Sequence, residues 1–454
     1  GIGGAGKLAA AFPSMLIATG TLPHSVLSGV SAQAVGEGGA AAALDEPRQL
    51  RARHGVRMYK FRTTHLAQCK PGAEPVFLYR GARLIDQSEM SAAELRKMAE
   101  GMAGHLRSRL GAGLAEFGQE TAALASLSLR RHANERGGLR SASEKASGAF
   151  ADRIVHSFSG EPTRIEPASA LMLLLTESCT FSGLDLSAEC GVPWMRRHSA
   201  LKNRIAGASP DSADLFRDLP EDQKGLGAVV YSVYPKMAMR LESVNDESTA
   251  VVSVDSSVRR VFATCGGGRL VSHMPWLGWA EIELAKHKDA GADGKPADIP
   301  SAVALREMRA QVWEHQIVPA DLDADSLDLA GGIVFTRAAS PLPTWQCARP
   351  LAFIATMLRD ERLTEPWERD AELGRLMQSL RFLRQLQADE SIGWMAPNVE
   401  MAVGGVRAAP WDQSMPPDAT SMALLTVVEV LRSLDALSAG AAKEEAETGP
   451  APTP

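Results

Sequence analysis

From Ser91 onward the chain repeats one instruction: a helix start, then apolar residues at spacings of three and four. Ser91-Ala92-Ala93-Glu94 has the form of a capping box, in which the Ser and Glu side chains satisfy amides left free at a helix start. Leu95, Met98, Met102, Leu106 and Leu110 follow on one helical face. Ser141-Ala142-Ser143-Glu144 is a second box, opening a helix that carries Phe150, Ile154 and Val155. Further helical stretches read over 121–132, 169–178, 225–233, 249–263, 275–287, 301–316, 350–359, 369–387 and 420–434. Loops rich in Gly, Pro and Asp separate them. At least eleven helices and few strands predict an all-α array whose members pair as antiparallel hairpins.

The remainder divides around that array. Residues 1–45 read as a leader or flexible segment, with a Gly/Ala linker over 36–43. Lys7 precedes an apolar stretch, and Ala32-Gln33-Ala34 resembles a signal cleavage site. An exported protein and a cytoplasmic one with a small-residue segment lying on its body are both open. Residues 46–90 read as a small extended segment. Two β-like runs, 56–63 and 75–85, flank a Lys70-Pro71-Gly72 turn and predict a small hairpin or extended pair. The helical domain spans 91–440, and the polar, Pro-rich tail 441–454 is expected to be disordered.

Composition excludes some classes. At 454 residues the chain buries enough surface to need neither disulfides nor metal. A net charge of -6 argues against a dedicated nucleic-acid binder. Apolar runs such as 171–175 are too short to span a membrane, which takes about 20 residues. Arg48, Arg51, Arg53, Arg57, Lys60 and Arg62 form a local basic run, readable as a protected edge strand or a contact for an anionic partner. The five cysteines are widely spaced without a CxxC and read as buried thiols.

Phe382-Leu383, Gln387, Gly393 and Trp394 resemble the QW repeat of terpenoid cyclases, approximately aromatic-Leu-x3-Gln-x3-Gly-x-Trp. Here the Gly arrives two residues late and abuts the Trp. The stretch from Asp418 through Thr420 to Leu425 looks like the Asp/Thr-rich start of an inner helix in that superfamily, which includes the protein prenyltransferases. The resemblance covers about residues 370–435 and implies an α/α toroid, helical hairpins around a ring. The family's Asp-x-Asp-Asp acid, Asp-Asp-x-x-Asp magnesium motif and Asp-x-Cys zinc pair are absent from this chain. Gln387 suits a helix end, where its amide reaches terminal carbonyls. Trp394 suits packing beneath that end. Asp418 suits the first turn of a helix.

Other patterns have competing readings. Gly1-x4-Gly6-Lys7 is nominally a phosphate loop, but Leu8 replaces its hydroxyl residue. Asp321, Asp323, Asp325 and Asp328 suggest either calcium or a solvated acidic loop. Cys190-Gly191 with His198 and Cys265-Gly266 with His273 repeat a Cys-Gly-x6-His pattern, read as a zinc site, equivalent turns of a repeat, or chance. The balance leaves no metal and no cofactor assigned. All eight tryptophans fall between Trp194 and Trp411. Trp276, Trp279, Trp313, Trp394 and Trp411 are candidate walls of a ligand cavity. Glu281, Glu314, His315 and Asp412 beside them are candidate acid–base groups. The plain alternative is core packing, with Glu and His at exposed helix edges. Two functions follow: a central Trp-rich cavity for a glycan or isoprenoid-like small molecule, with or without acid–base catalysis, or a non-catalytic helical scaffold for a protein partner.

Overall fold

The computed structural model describes mainly residues 74–112, 119–134, 267–288, 298–335, 342–391 and 398–448. Short stretches before residue 73, scattered positions in 142–149 and 255–265, and Ala396 are also described. Among these residues the protein is mostly helical. The long helices are α1 (Ala92–Ala112), α2 (Gln119–Ala133), α4 (Trp276–Lys288), α5 (Ala302–Glu314), α6 (Ala348–Leu358), α7 (Arg369–Leu386) and α9 (Pro417–Thr448). Two short ones are α3 (Gly267–Ser272) and α8 (Val399–Ala402). The stretches expected at 169–178 and 225–233 lie outside the described residues, as do the 36–43 linker and Ser141 and Glu144 of the second capping box.

The three-and-four spacing does what it implies. Leu95, Met98, Met102 and Leu106 of α1 are at most 1% exposed, each contributing about 1.5–3 kcal/mol relative to exposure. The capping box at its start is half formed. Ser91 Oγ accepts the Glu94 N–H at 3.2 Å. The Glu94 carboxylate instead accepts Arg384 Nε at 3.0 Å, because a charged partner outbids a single amide.

Helices adjacent in space are parallel in two sets. Arg309 of α5 reaches Glu368, Trp313 reaches Glu372, and Gln316 just beyond α5 reaches the Arg375 carbonyl, each at a separation of 59 residues. A constant difference means the segments run in the same direction. Arg384 to Glu94 and Gln387 to the Met98 carbonyl continue the set to α1. In the second set, Thr426 of α9 donates to the Ala348 carbonyl and Ser433 to that of Ala355, both 78 residues away. Ala348, Ala352, Ala355 and Ala423 are fully buried, and their small side chains let α6 and α9 approach closely.

Among the described residues the two β-like runs do not pair with each other. β5 (Val76–Tyr79) lies between β4 (Leu66–Ala67) and β6 (Ala82–Arg83). Arg80 at φ 42 and Gly81 at φ 91 make the two-residue turn between β5 and β6. β3 (Arg57–Met58) is an edge strand beside β1 (Ile2–Gly4), which also pairs with β2 (Lys7–Ala9). The edge position of Arg57 suits its charge. Lys7 therefore begins a strand, whereas a phosphate loop runs into a helix.

At the other end α9 continues to Thr448, past the boundary expected at Ala441. The run Ala-Ala-Lys-Glu-Glu-Ala-Glu is made of strong helix formers and extends a helix already nucleated. No described helix is long and apolar enough to cross a membrane.

Candidate functional site

α9 is apolar through its middle, with Met422–Val428 and Val430–Leu431 buried, except for one acid: Glu429 is 1% exposed. Side chains from α2 and α6 converge on that acid, and α4 joins them through Thr356. Arg131 of α2 donates to Glu429 Oε1 at 2.6 Å. Arg359, which caps α6, donates to Oε2 at 2.6 Å. Thr356 Oγ1 of α6 lies 3.4 Å from Oε2. Trp279 of α4 donates its indole N–H to Thr356 Oγ1 at 2.9 Å. The Arg131 guanidinium in turn sits 4.2 Å from the Trp279 ring centroid, over its face. Arg432, one turn along α9, adds a third cation at 3.1 Å.

Burial alone would raise the Glu429 carboxyl. Arg131, Arg432 and Arg359 together outweigh it and hold the group down at about 2. Such a carboxylate is a fixed anion at neutral pH and a poor proton carrier, since acid–base catalysis wants a group that titrates near the working pH. The cluster acts chiefly as a joint between four helices.

The candidates expected from the sequence are distributed unevenly. Trp276 and Trp279 are buried on α4 in an edge-to-face contact, centroids 5.5 Å apart at 82°. Glu281, on the same helix, is fully buried, paired with Arg259 and accepting the Ser301 N–H at 3.1 Å. Trp313 is on α5, its N–H donated to Glu372 of α7 at 2.6 Å. Glu314 and His315 beside it are exposed. Trp411 and Asp412 are half-buried in the loop before α9, where Asp412 accepts the Ser414 N–H at 2.9 Å. Trp394 lies outside the described residues. The structure thus gathers Trp276, Trp279 and Glu281 on one helix and puts Trp313, Glu314, His315, Trp411 and Asp412 elsewhere.

The QW-like segment is partly visible. Gln387 donates to the Met98 carbonyl of α1 at 2.9 Å. Beside it, Gly404 at φ 87 packs on Gly101, where a Cβ would come within 2.0 Å of the Gly101 carbonyl oxygen. Asp418, in the first turn of α9, accepts the Ala419 N–H at 3.1 Å. Burial raises its carboxyl, with the nearby Arg349 charge opposing. Burial likewise lowers Arg349, at the start of α6.

Sequence reading missed a second group of buried cations. Arg407 donates to the carbonyls of Gln385 and Leu386 at the end of α7 and to that of Arg80 in the β-turn. Burial holds it down at about 10. Arg381 donates to the carbonyls of Ile85, Asp328 and Ala330, and Arg80 pairs with Asp328. Asp328 therefore turns inward, while Asp321, Asp323 and Asp325 stay exposed. Among the described residues no group of three or more His, Cys, Asp or Glu is placed to hold a metal ion.

No family model matches the chain, and no curated protein or solved structure matches it.

Proposed function

We propose that this chain is a non-catalytic interaction scaffold whose helical domain is an α/α toroid. Support for the ring comes from its two sets of parallel neighbours, α5–α7–α1 and α6–α9, which a chain alternating between an inner and an outer layer would produce. The observation that carries the scaffold reading is the use of the central polar groups. Trp279, Thr356 and Glu429 already bond to one another's helices, and a cation covers the Trp279 face. A glycan or isoprenoid stacking on Trp279 would have to displace Arg131.

The outer surface offers a contact instead. Trp367, in the turn before α7, is 77% exposed. Acids surround it in sequence, with Asp360, Glu361, Glu365, Glu368 and Asp370 against Arg362 and Arg369. That chemistry suits a protein partner presenting an apolar pocket with a basic rim.

A second reading rests on Arg349 and Asp418. Two parallel helices begin near this pair, and a half-buried carboxyl beside a cation can anchor a polar small molecule. Thermal-shift screening of the whole chain against neutral oligosaccharides, isoprenoid diphosphates and divalent cations separates the two, because a ligand raises stability by mass action. The scaffold gives no shift with any of them. A saturable rise with one class overturns it, and loss of that rise in Asp418→Asn would assign the ligand to the second reading.

A further inference from the structure

Cys265 and His273 take no part in the joint between the helices. The Cys265 N–H bonds the Val261 carbonyl at 2.9 Å, and α3 begins two residues on, at Gly267. The His273 N–H bonds the Leu270 carbonyl at 3.0 Å just past the end of that helix. This fold-back brings His273 Nε2 to 3.6 Å from Cys265 Sγ.

The two residues differ in ways that suit a reactive pair. His273 is 3% exposed, and its Nδ1 makes no hydrogen bond. Its ring is thus free to carry its proton on Nδ1 and to present the Nε2 lone pair to the thiol. Burial holds the imidazole below its ordinary value, so it is neutral at pH 7. Cys265 is half-buried and not in a disulfide. Nearby backbone is open: a Cβ on Gly268 would meet nothing closer than Gln311 Oε1 at 4.0 Å. Cys347 is the contrast. It is completely buried, and burial pushes its thiol up to about 12.

We propose that Cys265 and His273 form a thiol–imidazole dyad, and that Cys265 is a covalent modification site for small uncharged α,β-unsaturated carbonyl compounds. His273 Nε2 takes the Sγ proton, and the thiolate sulfur bonds the β-carbon of the acceptor. The π-electron pair moves to the α-carbon and takes the proton back from Nε2. No oxidant and no leaving group are needed, and the imidazole ends neutral.

The test is labelling of the full chain with N-ethylmaleimide at pH 6.5, with the rate at each cysteine read by peptide mass spectrometry. An ordinary thiol with pKa near 8.5 is only about 1% thiolate at that pH. The dyad predicts that Cys265 in the folded chain reacts at least tenfold faster than Cys265 in chain unfolded by guanidinium, while Cys347 reacts more slowly folded than unfolded. His273→Gln should cut the folded rate at least tenfold while leaving the circular dichroism spectrum unchanged. A folded rate at Cys265 no higher than the unfolded one overturns the proposal, and that comparison needs no variant. A folded His273→Gln chain that labels like the wild type also overturns it. So does stoichiometric zinc in the purified protein whose removal is required for labelling, which would make the pair half of a metal site.

Discussion

Arg131 and Glu429 stand 2.6 Å apart although 298 residues separate them along the chain. Both are nearly inaccessible to water, with side chains 7% and 1% exposed. Their contact, extended by Thr356, Trp279 and Arg359, ties α2, α4, α6 and α9 at one point. Removing one partner of a buried pair leaves the other uncompensated, at a typical cost of about 3–5 kcal/mol.

Acid should loosen this joint within a defined window. Despite its burial, Glu429 is held by its arginines at about 2 against an ordinary 4.5. Its contribution is therefore complete above the unfolded value and is lost as pH falls from about 4.5 towards 2, amounting to roughly 3 kcal/mol. Urea unfolding from pH 5 to 2 should show this loss in the wild type and a flatter profile in Glu429→Gln. Equal slopes in the two proteins would mean that Glu429 does not carry the acid sensitivity.

A separate window belongs to His105. It is 2% exposed, and its ring packs against Gly405. Burial, reinforced by the Arg109 charge, lowers it to about 4. Unfolding lets it bind a proton near 6.5, so its contribution is complete above that pH and falls away between about 6.5 and 4. Substituting His105→Leu should flatten stability over that range and leave the Glu429 window intact, as urea unfolding from pH 7 to 2 would show.

Backbone geometry predicts opposite outcomes at two glycines. Gly404→Ala forces a side chain at φ 87 into the Gly101 carbonyl and should cost about 2–4 kcal/mol. Gly374, inside α7, has an ordinary helical φ, and nothing lies within 4 Å of the position an added methyl would take. Gly374→Ala should stabilise by about 0.5–1 kcal/mol. Chemical denaturation of both variants checks the pair together.

Gln387 offers a test of the QW-like segment. Its amide ties the end of α7 to the Met98 carbonyl. Gln387→Leu removes this buried hydrogen bond while the Met98 carbonyl keeps its place in the α1 ladder, and should cost about 0.5–1.5 kcal/mol. A change below measurement error would mean that Gln387 does not fasten α7 to α1.

The helices were legible because their signal is local. The face from Leu95 to Leu106 needs only neighbours three and four residues away, and it is buried as its spacing implies. The joint at Glu429 was not legible, because its partners lie 70 and 298 residues distant. One clue was present: an acid set in the run Thr426-Val-Val-Glu429-Val-Leu431, where an unpaired charge would be intolerable. Glu281 carried the same clue between Trp279 and Ile282 and is likewise paired inside. Glu314 and His315 looked equally suggestive beside Trp313, yet they fall where α5 ends and are exposed. The register of 59 and 78 residues between parallel segments has no sequence marker, since loop lengths set it.

The most direct test of the joint is a double-mutant cycle on Glu429 and Arg131, using Glu429→Gln, Arg131→Met and the double variant in urea unfolding. A structural lock predicts that the singles are each strongly destabilised and that the pair couples by about 2 kcal/mol or more. Additive effects, with coupling below about 0.5 kcal/mol, would contradict it and return the centre of the helices to the search for a ligand.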